Sequence, residues 1–93
     1  MDMRLLHTLK LYMRVDHCDD DLLIMRIWKA AVEYLAHSGI KQDESDLVWL
    51  ATAGLTLHWY DNPGFIGTDI AMPVGVRTAI NQLKLDRGGV DYF

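Results

Sequence analysis

The stretch Asp19–Ser38, DDDLLIMRIWKAAVEYLAHS, constrains the fold more than any other. It reads as one helix of about 20 residues, roughly 30 Å long at 1.5 Å per residue. Its polar positions after the start are Arg26, Lys29, Glu33 and His37. Steps of three and four place them on one narrow stripe. Leu22, Leu23, Ile24, Met25, Ile27 and Trp28, then Ala30, Ala31, Val32, Tyr34 and Leu35, cover the rest of its girth. An edge helix of a small domain needs an apolar stripe over only part of its circumference. This one is apolar around most of it, so the expectation is packing by several neighbours at once. Asp19, Asp20 and Asp21 mark its start, where a carboxylate can cap free N–H groups and suits the positive end of the helix dipole. Gly39 marks its end, because glycine enters the left-handed position after a helix without strain.

The other elements are arranged around this rod. Leu5, Leu9, Tyr12 and Met13 share one face of a short amphipathic helix spanning Leu5–Val15, with Thr8 as a second possible start. Asp16-His17-Cys18 is a turn. After Gly39 a polar loop offers Asp43, Ser45 and Asp46 as caps for a third helix, Asp46–Tyr60. That helix carries no charge after its first residue. Its Ala51 and Gly54 form a small-residue strip that either admits a close neighbour or marks a kink, since glycine within a helix costs about 1 kcal/mol against alanine. Pro63 cannot continue the helix, and Asn62-Pro63-Gly64 is turn chemistry. The loop Gly64–Met72 is longer than the usual helix connection, so it is mobile or a binding element. A fourth helix, about Pro73–Asp86, has Val76, Ile80 and Leu83 on one stripe and Arg77, Asn81 and Lys84 off it. Gly88-Gly89 then releases a flexible tail over residues 88–93. The expected fold is all-α: one four-helix domain over residues 1–93.

Composition limits the function classes. Hydrophobic residues make up 51% of the 93, and three are tryptophan. A chain this short buries only about two thirds of the surface its unfolded form exposes. The apolar surplus points to burial against other protein, most simply further copies of itself; a sticky monomer is the plainer alternative. A net charge of −4 argues against a protein whose main task is gripping nucleic acid. The single cysteine, Cys18, cannot form an internal disulfide and fits a reducing compartment. The start, MDMRLLHTLKLYMR, lacks the long apolar run and cleavage site of a signal peptide. The longest uncharged stretch, Leu47–Tyr60, has 14 residues, short of the about 20 that span a bilayer.

The residues that could carry chemistry are few. The run Asp16–Asp21 holds a histidine, a thiol and four carboxylates, but it lacks the paired motifs of a structural zinc site and the spacing of a calcium loop. Helix capping is the simpler role. His58 lies on an uncharged helix with no nucleophile placed beside it, and reads as a packed side chain with one hydrogen bond. His17 and Cys18, adjacent on a turn, need not face each other, and His7 and His37 sit on polar faces. No glycine pattern suggests a phosphate loop. The expectation is a protein with neither catalytic residues nor cofactor. Trp28, Trp49, Trp59, Tyr34 and Tyr60 have apolar neighbours, which suits a core better than a base-stacking platform. Core packing leaves unexplained Phe65, Ile66 and Ile70 in the long loop and Tyr92 and Phe93 in the tail. Disorder and partner contact both account for them.

The order of short phrases is more specific than any one of them. LKLYMRVDHCDDDLL, then AAVEYLAHSG, then HWYDN, then MPVGVRTAI resembles the head-tail connector (head-tail adaptor) proteins of tailed bacteriophages and prophages. The likeness runs from Leu9 to about Leu83, and departs from the family pattern after Asn62, where Pro63-Gly64 intervenes. The resemblance implies an all-α subunit of a ring, commonly dodecameric, at the portal vertex of the virion. Such a ring joins the DNA-filled head to the tail, and DNA passes through it without specific binding. Its implied partners are other copies of itself, the portal protein and a downstream head-completion or tail component. It implies no membrane, no cofactor and no catalytic residue. The alternative reading is a small helical DNA-binding regulator or antitoxin-like protein. It would use the last helix, where Arg77, Asn81, Gln82 and Lys84 come closest to a recognition face.

Overall fold

Helix α3, Asp46–Asp61, is the axis of the molecule. The structure, a computed structural model, describes residues 3–87. Within them are four helices: α1 (Met3–Met13), α2 (Asp21–His37), α3 and α4 (Val74–Arg87). A short 3-10 turn, Pro63–Phe65, follows α3. Helix α3 touches α1, α2, α4 and that turn. Helix α2 does meet α1, α3 and α4, but its apolar girth is covered only in part, since Leu22 and Leu23 stay 78% and 48% exposed. Nine residues of α3 are buried, against four of α2: Ile24, Ile27, Ala31 and Leu35. The third helix, uncharged between its terminal Asp46 and Asp61, and not the longer second one, is the rod the others wrap.

Three side chains explain how α3 tolerates this. Thr52, Thr56 and His58 are polar and buried. Each threonine hydroxyl donates to the carbonyl one turn back, Thr52 to Val48 at 2.8 Å and Thr56 to Thr52 at 2.7 Å. Their polar atoms are thus satisfied inside the helix, and only methyl groups face neighbours. Gly54 is the site of closest approach. A Cβ there would lie 2.5 Å from Val76 Cγ2 on α4 and 3.4 Å from the Tyr12 hydroxyl. Helix α3 runs unbroken through the position, so close packing, not a kink, is the reason for the glycine.

The helix ends follow local chemistry, with three corrections. Ser45 caps α3, its hydroxyl accepting from the Val48 amide at 3.2 Å. Gly39, at φ 90°, closes α2, with Gly39 N–H donating to Ala36 and Ile40 N–H to Leu35. The start of α2, however, falls at Asp21 rather than Asp19, and the Asp20 side chain makes no capping bond. Asp20 and Asp21 are used for tertiary contacts instead. Helix α1 ends at Met13, not Val15, because Arg14 takes the left-handed conformation at φ 61°. Val15 N–H then reaches back to Lys10 O, a glycine-type stop made by an arginine. Thr8 is mid-helix, bonded to Arg4 O, and caps nothing. Pro73 stands just before α4, its carbonyl accepting from Arg77 N–H.

Two apolar clusters result. The larger joins Ile27, Ala31 and Leu35 of α2 to Leu55 and Trp59 of α3 and to Ile80 and Leu83 of α4. The smaller joins Leu6, Leu9 and Met13 of α1 to Ile24 and Ala53. Full burial of a large apolar side chain stabilises by about 1.5–3 kcal/mol, so each cluster outweighs any ion pair at the surface.

A candidate interaction surface

The loop after α3 is built from beneath. His58 Nε2 lies 2.9 Å from Ile70 O, and a carbonyl only accepts, so Nε2 carries the proton. Nδ1 is then free to accept from the Asn62 side-chain amide, 3.5 Å away. Trp59 Nε1–H donates to Thr68 O at 3.1 Å. Thr68 ties the loop to itself: its hydroxyl donates to Phe65 O at 2.7 Å and accepts from Ile70 N–H at 3.2 Å. Arg77 Nη2–H donates to Asp69 O at 3.0 Å. The segment 64–72 is thus bonded at several points along its length. Phe65 is half-buried on the larger cluster, its ring 5.9 Å from that of His58. It is therefore an anchor, whereas Ile66 and Ile70 are left exposed at 40% and 53%. Tyr92 and Phe93 lie outside the described residues, as does the whole 88–93 tail.

At the other edge of α3, Trp49 meets Tyr12 edge-on at 5.8 Å and Trp28 at 6.2 Å. Trp59 is fully buried and Tyr34 stands edge-on to it at 5.5 Å. The tryptophans therefore pack on protein, as their apolar neighbours imply. Beside Trp28, the outer flank of α2 holds a shallow recess of about 540 Å³ lined by Leu22, Met25, Arg26, Trp28, Lys29 and Val32. Leu22 is 78% exposed. Sequence reasoning missed this recess by counting all of α2's apolar girth as covered. The clue lay in Arg26 and Lys29, which take this flank to solvent.

The aspartates before α2 lock its start to the other helices. The Asp21 carboxylate is 2.7 Å from Lys10 Nζ and holds the ammonium above its ordinary value of 10.5. Tyr60 donates a short hydrogen bond to Asp20, which raises the phenol above 10.0. His17 Nδ1 accepts from the Asp19 amide at 3.3 Å. Cys18 is exposed. Among the described residues, no three histidine, cysteine or carboxylate side chains converge on one point. No helix there is long and apolar enough to cross a membrane.

Comparison with known protein families, with curated proteins and with solved structures gives no match. The class that the geometry defines is a small all-α domain with a firmly held apolar loop and an uncovered flank on α2.

Proposed function

We propose that this chain is a structural subunit of an oligomeric ring at the head-tail junction of a tailed phage or prophage, without catalytic activity or cofactor. One observation carries the reading: large apolar side chains stand in solvent although the core beneath them is filled. Leu22, Met3 and Leu11 are 78%, 76% and 66% exposed, while Leu9, Ile24, Leu35 and Leu55 are fully buried. Single exposed apolar residues are ordinary, but several of this size on so small a domain mark surfaces that meet protein. The phrases shared with connector proteins supply the biological setting. The acidic balance suits a channel wall that lets DNA pass, because phosphate contact needs a basic surface. In this reading the partners are further copies of the chain, the portal above and a head-completion or tail component below. The chain would be found in the virion, and in host cytoplasm during assembly.

The test is electron microscopy of the purified protein, alone and mixed with a phage portal ring. Annular particles, or added density on the portal, are expected. Dispersed monomers that ignore the portal would count against the reading. A gel shift at low salt separates the alternative: tight, sequence-selective DNA binding lost on Asn81→Ala and Lys84→Ala would assign the exposed face of α4 to a regulator.

A further inference from the structure

We infer that one copy of this chain docks on the next by seating its 62–72 loop in the α2 recess of its neighbour, head to tail. The inference rests on the ring reading and deepens it by naming the two surfaces that meet. The loop is the projecting partner. Ile66 and Ile70 are exposed on a backbone held by His58, Trp59 and Thr68, so docking orders little that is not ordered already. The recess is the receiving partner. It is a shallow hollow of about 540 Å³, open to solvent.

Charge chooses the occupant. From Asp61 to Arg77 the chain has two aspartates, Asp61 and Asp69, and one cation, Arg77, which lies 4.0 Å from the Asp69 carboxylate. Both aspartates are exposed. The recess has Arg26 and Lys29 in its wall and no acid among its lining residues; Glu33 follows one turn beyond Lys29. Asp20 and Asp21, which precede the recess, are occupied by Tyr60 and Lys10. Two aspartates against one arginine leave the projection with a net charge of −1, while the hollow carries the cations Arg26 and Lys29, and rim charges of opposite sign steer and orient such a contact.

The two surfaces lie on opposite flanks of α2, so they do not meet within one chain. Met25 and Tyr34 are two and a half turns apart on α2, which puts them on opposite sides of that helix. Met25 lines the recess. Tyr34 packs on Trp59, whose indole holds the loop at Thr68, and shares a small polar pocket with Asp69. The loop therefore lies along one flank of α2 and the recess along the other. A head-to-tail contact between unlike surfaces leaves one of each free on every pair, and it propagates, as a ring where its rotation closes and as a filament where it does not.

The experiment uses two full-length variants, Leu22→Asp in the recess and Ile70→Asp on the loop. Both sites are exposed, so unchanged circular dichroism and melting are expected. Sedimentation velocity of the wild type over rising concentration should show growing assemblies. Each variant alone should associate at least about tenfold more weakly, because its carboxylate would be buried in an apolar contact. An equimolar mixture should form dimers and stop there, since Leu22→Asp keeps a good loop and Ile70→Asp a good recess. Variants that assemble like the wild type would overturn the inference and leave the ring reading standing. A mixture that stays monomeric beside an assembling wild type would do the same. A wild type that is monomeric throughout would overturn both.

Discussion

Helices α2 and α3 lie side by side, differ by one residue in length and read as similarly apolar, yet they do different work. Helix α3 is enclosed by its own chain, with α1, α2 and α4 around it and the 62–72 loop at its end. Helix α2 gives one face, Ile24, Ile27, Ala31 and Leu35, to that enclosure and leaves Leu22, Arg26 and Lys29 on an open flank. An apolar girth measures how many neighbours a helix wants. It does not say whether they belong to the same molecule. In α3 they do, Leu50 at 48% exposure excepted, and in α2 we assign part of them to the next copy.

That contrast can be broken by substitution, starting where the effect is greatest. Leu55→Ala on α3 removes a fully buried side chain and should cost about 2–5 kcal/mol in chemical denaturation. Leu22→Ala on α2, 78% exposed, should leave the monomer within about 0.5 kcal/mol of wild type. Equal losses at the two sites would erase the distinction between the helices. Next comes Gly54→Ala. Alanine is the better helix former by about 1 kcal/mol, but its Cβ collides with Val76 Cγ2, and overpacking of this kind costs about 1–3 kcal/mol. Net destabilisation is expected, relieved in part by Val76→Ala. A stabilised Gly54→Ala would mean that α4 does not press on α3 at this point.

A smaller effect concerns the corner where α1, α2 and α3 meet. Lys10 and Tyr60 both have pKa values raised by folding, through Asp21 and Asp20. A group raised on folding contributes fully below its unfolded value and loses that contribution as pH climbs through the raised one. Both contacts should therefore hold below about pH 10 and fail progressively above it, with the melting temperature falling over that window. In the double variant Tyr60→Phe with Lys10→Met the alkaline fall should be visibly shallower. An unchanged alkaline profile would show that these two contacts do not hold α2 in place. Smallest of all is Ser45→Ala, at about 1 kcal/mol, the ordinary worth of a cap. By contrast, Asp19→Ala should change little, since α2 begins two residues later.

These sites also show what was legible in the sequence and why. The four helices, Gly39 as a stop, Ser45 as a cap and the Val76-Ile80-Leu83 stripe all follow from local rules, and local rules act within a few residues. The choice of α3 as axis does not. Thr52, Thr56 and His58 look polar in the sequence, and they become buryable only because backbone carbonyls accept their protons. The early start assigned to α2 fails for a related reason. Asp20 can cap a helix or bind Tyr60, forty residues away, and only the fold decides between them. Of the candidate contact residues, Ile66 and Ile70 stand in solvent as their loop setting suggested. Phe65 turned inward once Pro63 curled the chain back on His58. The recess on α2 left only a faint sequence signature, the cations Arg26 and Lys29 on its flank, since exposure of Leu22 is a property of what fails to cover it.

Covalent footprinting of the wild type at low and at high protein concentration tests the central claim most directly. Dilute chains should be labelled at Leu22, Met25, Ile66 and Ile70, with little label on Leu55 and Trp59. Concentrating the sample should protect those four positions together while Leu85 and Val74 stay reactive. If the four stay as reactive in concentrated as in dilute protein, the open flank of α2 is simply surface, and no neighbouring copy covers it.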